Sequence, residues 1–305
     1  MKTLEKTGGN KFLAFLKRAV RNQIFIPLAA LLILVLFNLI ADPSFFAIKY
    51  APNSAGDMVI SGNIITILDN ASELAILAIG MTLVTSASGG QDISVGATIA
   101  VVLRVLCGGE VSPAALHAPI IVAFLACVVV SMLLGAFNGT LVAYFKIQPM
   151  VATLILFTAG RSIAAWINNN QLPVINDESF GWFGNFIPGL PLPTPIFIAA
   201  ICIIIIALVL RFTKLGLFTQ AVGINSESSR LNGLNPARIK FMTYVILGLC
   251  VAVAGFIKVS RISSINYSVV AKDIEMDAIL AVALGGNALS GGKFNMASSI
   301  LGAYV

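Results

Sequence analysis

Residues 119–145 read PIIVAFLACVVVSMLLGAFNGTLVAYF, a long run without a single charged side chain. The hydrocarbon core of a bilayer is about 30 Å thick and requires roughly 20 apolar residues of α-helix to cross it. This run is long enough to cross, and none of its residues carries a charge that would have to be buried in lipid. The stretch therefore predicts a transmembrane helix.

The composition of the whole chain supports the same interpretation. Of 305 residues, 58% are hydrophobic and only 10% are charged, whereas soluble domains carry about 25% charged residues. Further apolar runs occupy 24–41, 64–86, 93–107, 150–167, 195–210, 241–260, 278–289 and 294–305. Several of these are too short for a full crossing and lie beside glycine clusters, which is typical of broken or re-entrant helices. We predict an all-α polytopic transmembrane bundle of about 8–10 membrane segments, with a cytoplasmic segment 1–23 and a single transmembrane domain 24–305.

The basic residues are concentrated in two segments. Of 19 Lys and Arg, most lie in 1–23 and 211–240, while the loop 168–194 has none. Cytoplasmic loops carry such an excess, so we expect the N-terminus in the cytoplasm of a multi-pass protein of the bacterial inner membrane. The segment 258–276 is an exception, since Lys258, Arg261 and Lys272 fall on the predicted outer side. The net charge of +6 is thus explained by membrane topology, with lipid rather than nucleic acid as the partner.

Residues typical of catalytic and metal sites are scarce. The only histidine is His117, and all four cysteines lie in or beside apolar runs without the close spacing of a metal site. Buried cysteine usually acts as a small apolar residue. We therefore expect no catalytic residue, no metal and no cofactor, and we do not interpret the chain as an enzyme.

Two stretches share the pattern G-G-x-x-x-S-x-G, at 89–96 and 285–292, and AILA precedes each of them, at 75–78 and 278–281. Internal repeats with broken helices are common around transport pathways, and glycine also allows close helix packing. Both interpretations stay open. The second copy continues into Lys293-Phe294 but lacks the remaining residues of a phosphate-binding loop. If ATP drives this protein, another chain binds it.

Several charged residues interrupt the apolar runs. Asp69 and Glu73 lie one helical turn apart, Asp92 lies in the first glycine motif, and Arg104 and Arg161 lie in later runs. A charge at the bilayer centre costs about 2.5–3.5 kcal/mol on insertion scales, so each should face protein, water or a partner. These residues either form structural ion pairs or line a substrate path. A proton relay is disfavoured, because acids are few.

The polar stretch 223–233 is too short and too polar to cross a membrane. Asn225 or Ser226 is suited to cap the start of a helix, and Gly233 to follow its end. A short capped helix between two spans is either an ordinary connection or a docking helix for another subunit.

Further ordered motifs accompany these, namely GMTLV at 80–84, FNG at 137–139, KIQP at 146–149, AGR at 159–161 and DAI at 277–279. Together, from residue 64 to the last residue, they resemble the permease subunits of ATP-binding-cassette importers for ribose, galactose and galactofuranose. The stretches at 146–155 and 221–225 are most similar to the galactofuranose type. Gln91 stands where such permeases usually have an apolar residue, and Arg104 stands in a normally uncharged span.

The resemblance implies half of a homo- or heterodimeric channel that imports a sugar by alternating access. Its partners would be an ATPase subunit, a periplasmic sugar-binding protein and a second permease copy or paralogue. Within the cytoplasmic coupling loop 211–240, the candidate coupling residues are Gly223, Asn225, Glu227, Arg230, Leu231 and Gly233. The candidate pathway or hinge residues are Glu73, Gly89, Gly90, Asp92, Ser94, Gly96, Asn138, Arg161, Gly285, Gly286, Asn287 and Ser290.

Two other interpretations remain open at this point. The repeat and the intramembrane charges also suit a secondary transporter or channel that works alone. The family continues beyond the point where this chain stops, at Val305, so we also expect a truncated C-terminus, and an inactive truncated membrane protein is a further alternative.

Overall fold

The computed structural model describes residues 24–52, 58–96, 98, 120–167, 170, 178–263 and 271–305. The segment 1–23 and most of the predicted span 93–107, including Arg104, lie outside these residues. The helices are α1 (Phe25–Ala41), α2 (Asn63–Ser88), α3 (Ile120–Ala143), α4 (Pro149–Ile167), α5 (Glu178–Gly181), α6 (Thr194–Phe212), α7 (Leu215–Ile224), α8 (Ser226–Leu231), α9 (Pro236–Ile262), α10 (Ile274–Leu284) and α11 (Met296–Ala303). Strands β1 (Lys49–Pro52) and β2 (Met58–Ser61) form an antiparallel pair.

Five of the described helices, α2, α3, α4, α6 and α9, are long and apolar enough to cross a membrane. Their bounds agree with the predicted apolar runs to within a few residues, and the prediction of an all-α bundle is confirmed. Proline lies at the start of α4, α6 and α9, where its missing N–H costs no hydrogen bond. The shorter helices α1 and α7 are apolar too.

The hairpin β1–β2 was not predicted from the sequence. Tyr50, Val59 and Ile60 belong to residue types that favour strands, and Val59 is buried. The amide of Ile60 also donates to the carbonyl of Pro191 at 2.8 Å. The hairpin therefore ties the start of α2 to the loop that precedes α6.

Helix α2 is the centre of the bundle. It contacts α6, α7, α9, α10 and α11, and its C-terminal half is almost wholly buried. Small residues permit this close packing: a Cβ on Gly80 would lie 2.8 Å from the Leu247 side chain on α9. In the same way, Gly135 and Gly248 bring α3 and α9 together, since either Cβ would meet the other helix's backbone. The outer faces of α1, α3 and α6 expose large apolar side chains, as lipid contact requires.

Helix α10 has 11 residues. At 1.5 Å per residue it is about 16 Å long, roughly half a hydrocarbon core, and it ends at the second glycine motif. Helix α11 follows this motif and packs against α10 and α2. The prediction of a broken segment in this region is confirmed.

Candidate functional site

The two glycine motifs lie side by side, and hydrogen bonds join the second motif to the last turn of α2 and to the first motif. The amide of Gly292 donates to the carbonyl of Ser86 at 3.0 Å, and the Ser86 hydroxyl donates to the Gly292 carbonyl. The Gln91 side-chain amide donates to the Leu289 carbonyl at 3.3 Å. Gln91 therefore makes a polar contact between the motifs.

Glycine is required at this junction for two reasons. Gly89 ends α2 and Gly286 follows α10, both in the left-handed region, with φ of 67° and 73°. Glycine adopts this conformation without a steric penalty. In addition, a Cβ on Gly89 would lie 2.8 Å from the carbonyl oxygen of Ser290, so a larger residue would push the motifs apart.

Gly223, near the C-terminal end of α7, meets the same junction. A Cβ at this position would collide with the Ser86 carbonyl oxygen and would lie 2.7 Å from the Gly292 amide nitrogen. From the sequence we expected Gly223 in a coupling segment; in the structure it is half-buried and lies against the last turn of α2 and the second glycine motif. Only Asn225 separates α7 from α8.

The remaining candidate coupling residues lie on or beside α8, and the predicted capping is confirmed. Asn225 Oδ1 accepts a hydrogen bond from the Ser228 amide at 2.9 Å, while Gly233 follows the helix with φ of 81°. Glu227 and Arg230 form an exposed ion pair of 3.2 Å, and Leu231 is 85% exposed.

Exposed apolar side chains continue from α8 onto α7, where Leu217 and Ile224 also face outward. An open groove of about 390 Å³ runs between the two helices. Its lining residues are Leu217, Phe218, Ala221, Ile224, Asn225, Ser228, Ser229, Asn232 and Leu234. Apolar side chains beside a polar helix, rather than a continuous apolar face, are what a protein partner would contact.

The structure brings Asp92, Ser94 and Asn138 together, as three buried side chains between the first glycine motif and α3. Asp92 Oδ1 accepts hydrogen bonds from the Ser94 amide at 2.8 Å and from the Ser94 hydroxyl at 2.6 Å. Asn138 Nδ2 donates to Asp92 Oδ2 at 3.2 Å and to Ser94 Oγ at 2.8 Å. Three candidates from distant parts of the sequence thus form one polar cluster.

Gly90, Gly96 and Arg161 lie where the first motif meets α4 and the segment before α10. A Cβ on Gly90 would lie 2.7 Å from the Pro149 side chain, and one on Gly96 would lie 3.0 Å from Arg161 Nη2. The Glu275 carboxylate would also lie against that Cβ. Glu275 is buried, and the sequence analysis did not single it out.

A second polar cluster surrounds Asn287. Asn287 Nδ2 donates to Ser299 Oγ at 2.6 Å, and Asn287 Oδ1 accepts from the Asn295 amide at 2.7 Å. The Ser299 and Thr82 hydroxyls lie 2.7 Å apart. This cluster joins α2, the second motif and α11. Gly285 permits the contact, because a Cβ there would lie 2.8 Å from Ser299 Cα.

Glu73 lies apart from the glycine junction, about 20 Å along α2 from Ser86 at 1.5 Å per residue. Its carboxylate pairs with Lys258 Nζ at 3.1 Å and with Arg261 Nη1 at 3.1 Å. Arg261 also pairs with Asp69 at 3.0 Å. The sequence analysis noted the two acids on one face and the two cations as a topological exception, but it did not pair them. The signal available in the sequence was that the two acids lie one helical turn apart on α2, and that the two cations lie near the end of a predicted span.

In the described part of the chain, no three His, Cys, Asp or Glu side chains come together as metal ligands would. The site consists of the two glycine motifs, helix α7, which packs beside them, and the exposed capped helix α8.

Comparison with known proteins decides the family. Residues 63–305 match the family model described as branched-chain amino acid transport system / permease component. The chain belongs to this permease family. The permease is a multi-pass membrane protein, and its central helix α2 begins where the match begins.

Curated relatives cover nearly the whole permease. The galactofuranose transporter permease protein YtfT of Escherichia coli K12 is 41% identical over 278 residues, which are 91% of this chain and 78% of that protein. The fructose import permease protein FruF of Bifidobacterium longum is 34% identical over 98% of this chain and 82% of its own length. The ribose import permease protein RbsC of E. coli K12 is 35% identical over 91% of this chain and 82% of its own length. No solved structure matches the chain.

Proposed function

We propose that this permease is the membrane subunit of an ATP-binding-cassette importer that carries a sugar across the bacterial inner membrane. The relatives named for galactofuranose, fructose and ribose support a sugar. In this proposal the permease forms one transmembrane domain, with its N-terminus in the cytoplasm and a second permease copy or paralogue beside it. A periplasmic binding protein delivers the sugar.

The observation that carries the proposal is the exposed capped helix α8 and its connection to the bundle. α8 presents Leu231 and the Glu227–Arg230 pair to a partner, and the Asn225 cap holds its first turn. We assign this surface, together with the groove beside α7, to the ATPase subunit. The permease itself has no phosphate-binding loop in its sequence, so the energy must enter through such a contact.

Gly223 supports a route from that contact into the bundle. Movement of α8 is passed through one residue to α7, and α7 bears directly on Ser86 and Gly292. A rigid packed contact transmits displacement rather than absorbing it. ATP-driven motion of α8 would therefore shift the two glycine motifs relative to each other.

We assign a hinge role to the glycine motifs, since Gly89, Gly90, Gly285 and Gly286 stand at helix ends or close backbone contacts. The polar clusters around Asp92 and Asn287 are buried in this conformation. Opening of the hinge would expose Ser94 and Asn138 to the sugar path, beside Ser290, which is already exposed. Arg161 and Gly96 lie beside that hinge, whereas Glu73 belongs to the ion-pair network at the other end of α2.

Transport in proteoliposomes tests the proposal. The permease is reconstituted with the ATPase subunit and the sugar-binding protein of a candidate importer, and uptake of labelled galactofuranose, ribose, fructose and leucine is measured. ATP-dependent uptake of a sugar supports the proposal. Leucine uptake in its place would support amino-acid import, which the description of the family favours.

Two further outcomes would contradict the coupling role. Uptake by this chain alone, without ATP, would identify a stand-alone transporter. Normal coupling after replacement of residues 225–233 by a flexible linker would show that the ATPase acts elsewhere.

A further inference from the structure

A small cavity lies between α3, α9 and the first glycine motif. It offers about 10 Å³ to the centre of a water-sized sphere, close to the minimum that one water molecule needs. Five of its ten lining residues have polar side chains, namely Asp92, Ser94, Thr98, Asn138 and Tyr244.

Two residues that line this cavity each carry a buried polar atom that makes no hydrogen bond in the described part of the chain, namely Asn138 Oδ1 and the Tyr244 hydroxyl. The Ser88 hydroxyl lies near that of Tyr244 but donates to the carbonyls of Val84 and Gly90. Asn138 and Tyr244 are almost fully buried, with exposures of 1% and 0%. The Asn138 amide nitrogen already donates to Asp92 and Ser94. Asn138 Oδ1 therefore needs a donor that the surrounding side chains do not supply.

Burial of an unpaired polar group is costly, and native interiors almost always satisfy such groups with protein or ordered water. Two unpaired polar groups beside one cavity of the size of a water molecule therefore indicate a bound water. Genuinely empty cavities are apolar, whereas roomy polar ones are hydrated.

We propose that this cavity binds one ordered water molecule that bridges Asn138, Tyr244 and the Asp92 carboxylate. The water donates to Asn138 Oδ1 and to Asp92 Oδ2, and it accepts from the Tyr244 hydroxyl. It joins α3, α9 and the first glycine motif at a point where protein atoms alone leave a gap. The inference does not depend on what the permease transports.

Water fits these groups better than a cation does. Asp92 Oδ1 already accepts two hydrogen bonds from Ser94, and the Ser94 hydroxyl is itself committed to Asp92. The side-chain oxygens that remain for a ligand are Asn138 Oδ1, Asp92 Oδ2 and the hydroxyls of Thr98 and Tyr244, four in all. Hard cations such as Mg²⁺ and Ca²⁺ take six or more oxygen ligands, which this cavity does not provide.

Thermal unfolding of the purified full-length permease in lipid nanodiscs tests the site through a double-mutant cycle. Tyr244→Phe removes one partner of the water and should lower Tm by several degrees. Val251→Ile adds a methylene at the cavity wall, displaces the water and should lower Tm as well. Once the water is gone, Tyr244→Phe should cost nothing further, so its effect should vanish in the Val251→Ile background. Tyr144→Phe is the matched control, since Tyr144 is 56% exposed, and it should leave Tm unchanged.

Three results would overturn the proposal. A Tyr244→Phe variant that is as stable as the wild type, or more stable, would mean a dry cavity. An equal loss from Tyr244→Phe in both backgrounds would mean that the hydroxyl bonds to protein directly. A rise in wild-type Tm in sodium chloride relative to choline chloride, absent in Tyr244→Phe, would mean that a sodium ion occupies the site.

Discussion

Gly223 lies so close to the carbonyl oxygen of Ser86 that no Cβ fits between them. Gly223 belongs to α7, directly before the exposed helix α8, and Ser86 lies in the last turn of the central helix α2. The carbonyl of Ser86 also accepts a hydrogen bond from Gly292 in the second glycine motif. One oxygen atom therefore stands where the proposed docking segment and both halves of the repeat meet.

Gly223→Ala should reduce sugar uptake per ATP hydrolysed by at least tenfold. Alanine favours a helix interior by about 1 kcal/mol over glycine, so an effect on α7 alone would be stabilising. The added methyl group instead forces α7 away from Ser86 and Gly292. Uptake and ATP hydrolysis measured in the same proteoliposomes give the ratio.

Gly216→Ala on the same helix is the matched control. Its Cβ would contact only Leu210, at 3.4 Å or more, so it should retain normal coupling and a normal or raised Tm. Equal sugar uptake per ATP hydrolysed in the two alanine variants would show that the contact of Gly223 with Ser86 has no role in coupling.

Arg261→Met should lower the free energy of unfolding by about 3 kcal/mol, the lower end of the cost of removing one partner of a buried ion pair, because Asp69 loses its cation partner while Glu73 keeps one. The Glu73 side chain is 3% exposed and would keep only Lys258 as a cation partner. Adding Glu73→Gln should restore part of the loss. Chemical denaturation of the purified variants measures both changes.

Arg230→Met is the control for that series, since the Arg230–Glu227 pair is exposed. Exposed pairs contribute about 0–1 kcal/mol, so little change is expected. If Arg230→Met and Arg261→Met destabilise the permease equally, burial of the ion pairs between α2 and α9 has no energetic significance.

Leu231→Asp should abolish binding of the ATPase subunit and leave the fold intact. Leu231 is 85% exposed, so a carboxylate there costs no burial within this chain but places a charge in an apolar contact. Co-purification with the ATPase subunit, together with Tm, separates the two effects. Met58→Asp, at the opposite end of α2, should bind normally. Normal binding by Leu231→Asp would remove α8 from the docking surface.

Ser299→Ala should destabilise the permease by about 1–3 kcal/mol, the usual cost of leaving buried polar groups unpaired. The change deprives Asn287 and Thr82 of a shared partner. The native Ser162, on the exposed side of α4, makes only a weak hydrogen bond of 3.5 Å. Ser162→Ala should therefore leave the stability unchanged. Indistinguishable Tm values for the two variants would contradict a structural role for the Asn287 cluster.

Much of the fold follows from the sequence, because lipid imposes long apolar runs and their ends are marked by proline, glycine or polar residues. The run 195–210 became α6, extended by two residues at its C-terminal end, and the run 278–289 became a helix that stops at Gly285. The capped helix at 226–231 also followed from side-chain chemistry, since Asn225 is a strong N-cap.

What the sequence did not show was which segments meet. α7 was missed as a separate helix because its ten residues lie within a stretch dominated by polar positions on either side. The contacts of Gly223 with Ser86 and of Gln91 with Leu289 join residues far apart in the chain, and helical periodicity carries no information about such pairings. The Asp92–Asn138 pairing was hidden for the same reason, although both residues had been singled out.

The ion pairs between α2 and α9 also bear on how this protein is made. Lys258 and Arg261, at what we propose is the outer end of α9, are the kind of residues that hold a segment end in the cytoplasm during insertion. Their acidic partners on α2 emerge from the ribosome nearly two hundred residues earlier. The correct topology of α9 would then require that α2 is already inserted, so that its acidic residues can pair with Lys258 and Arg261. The helices of the first half of the chain would therefore have to be inserted before α9.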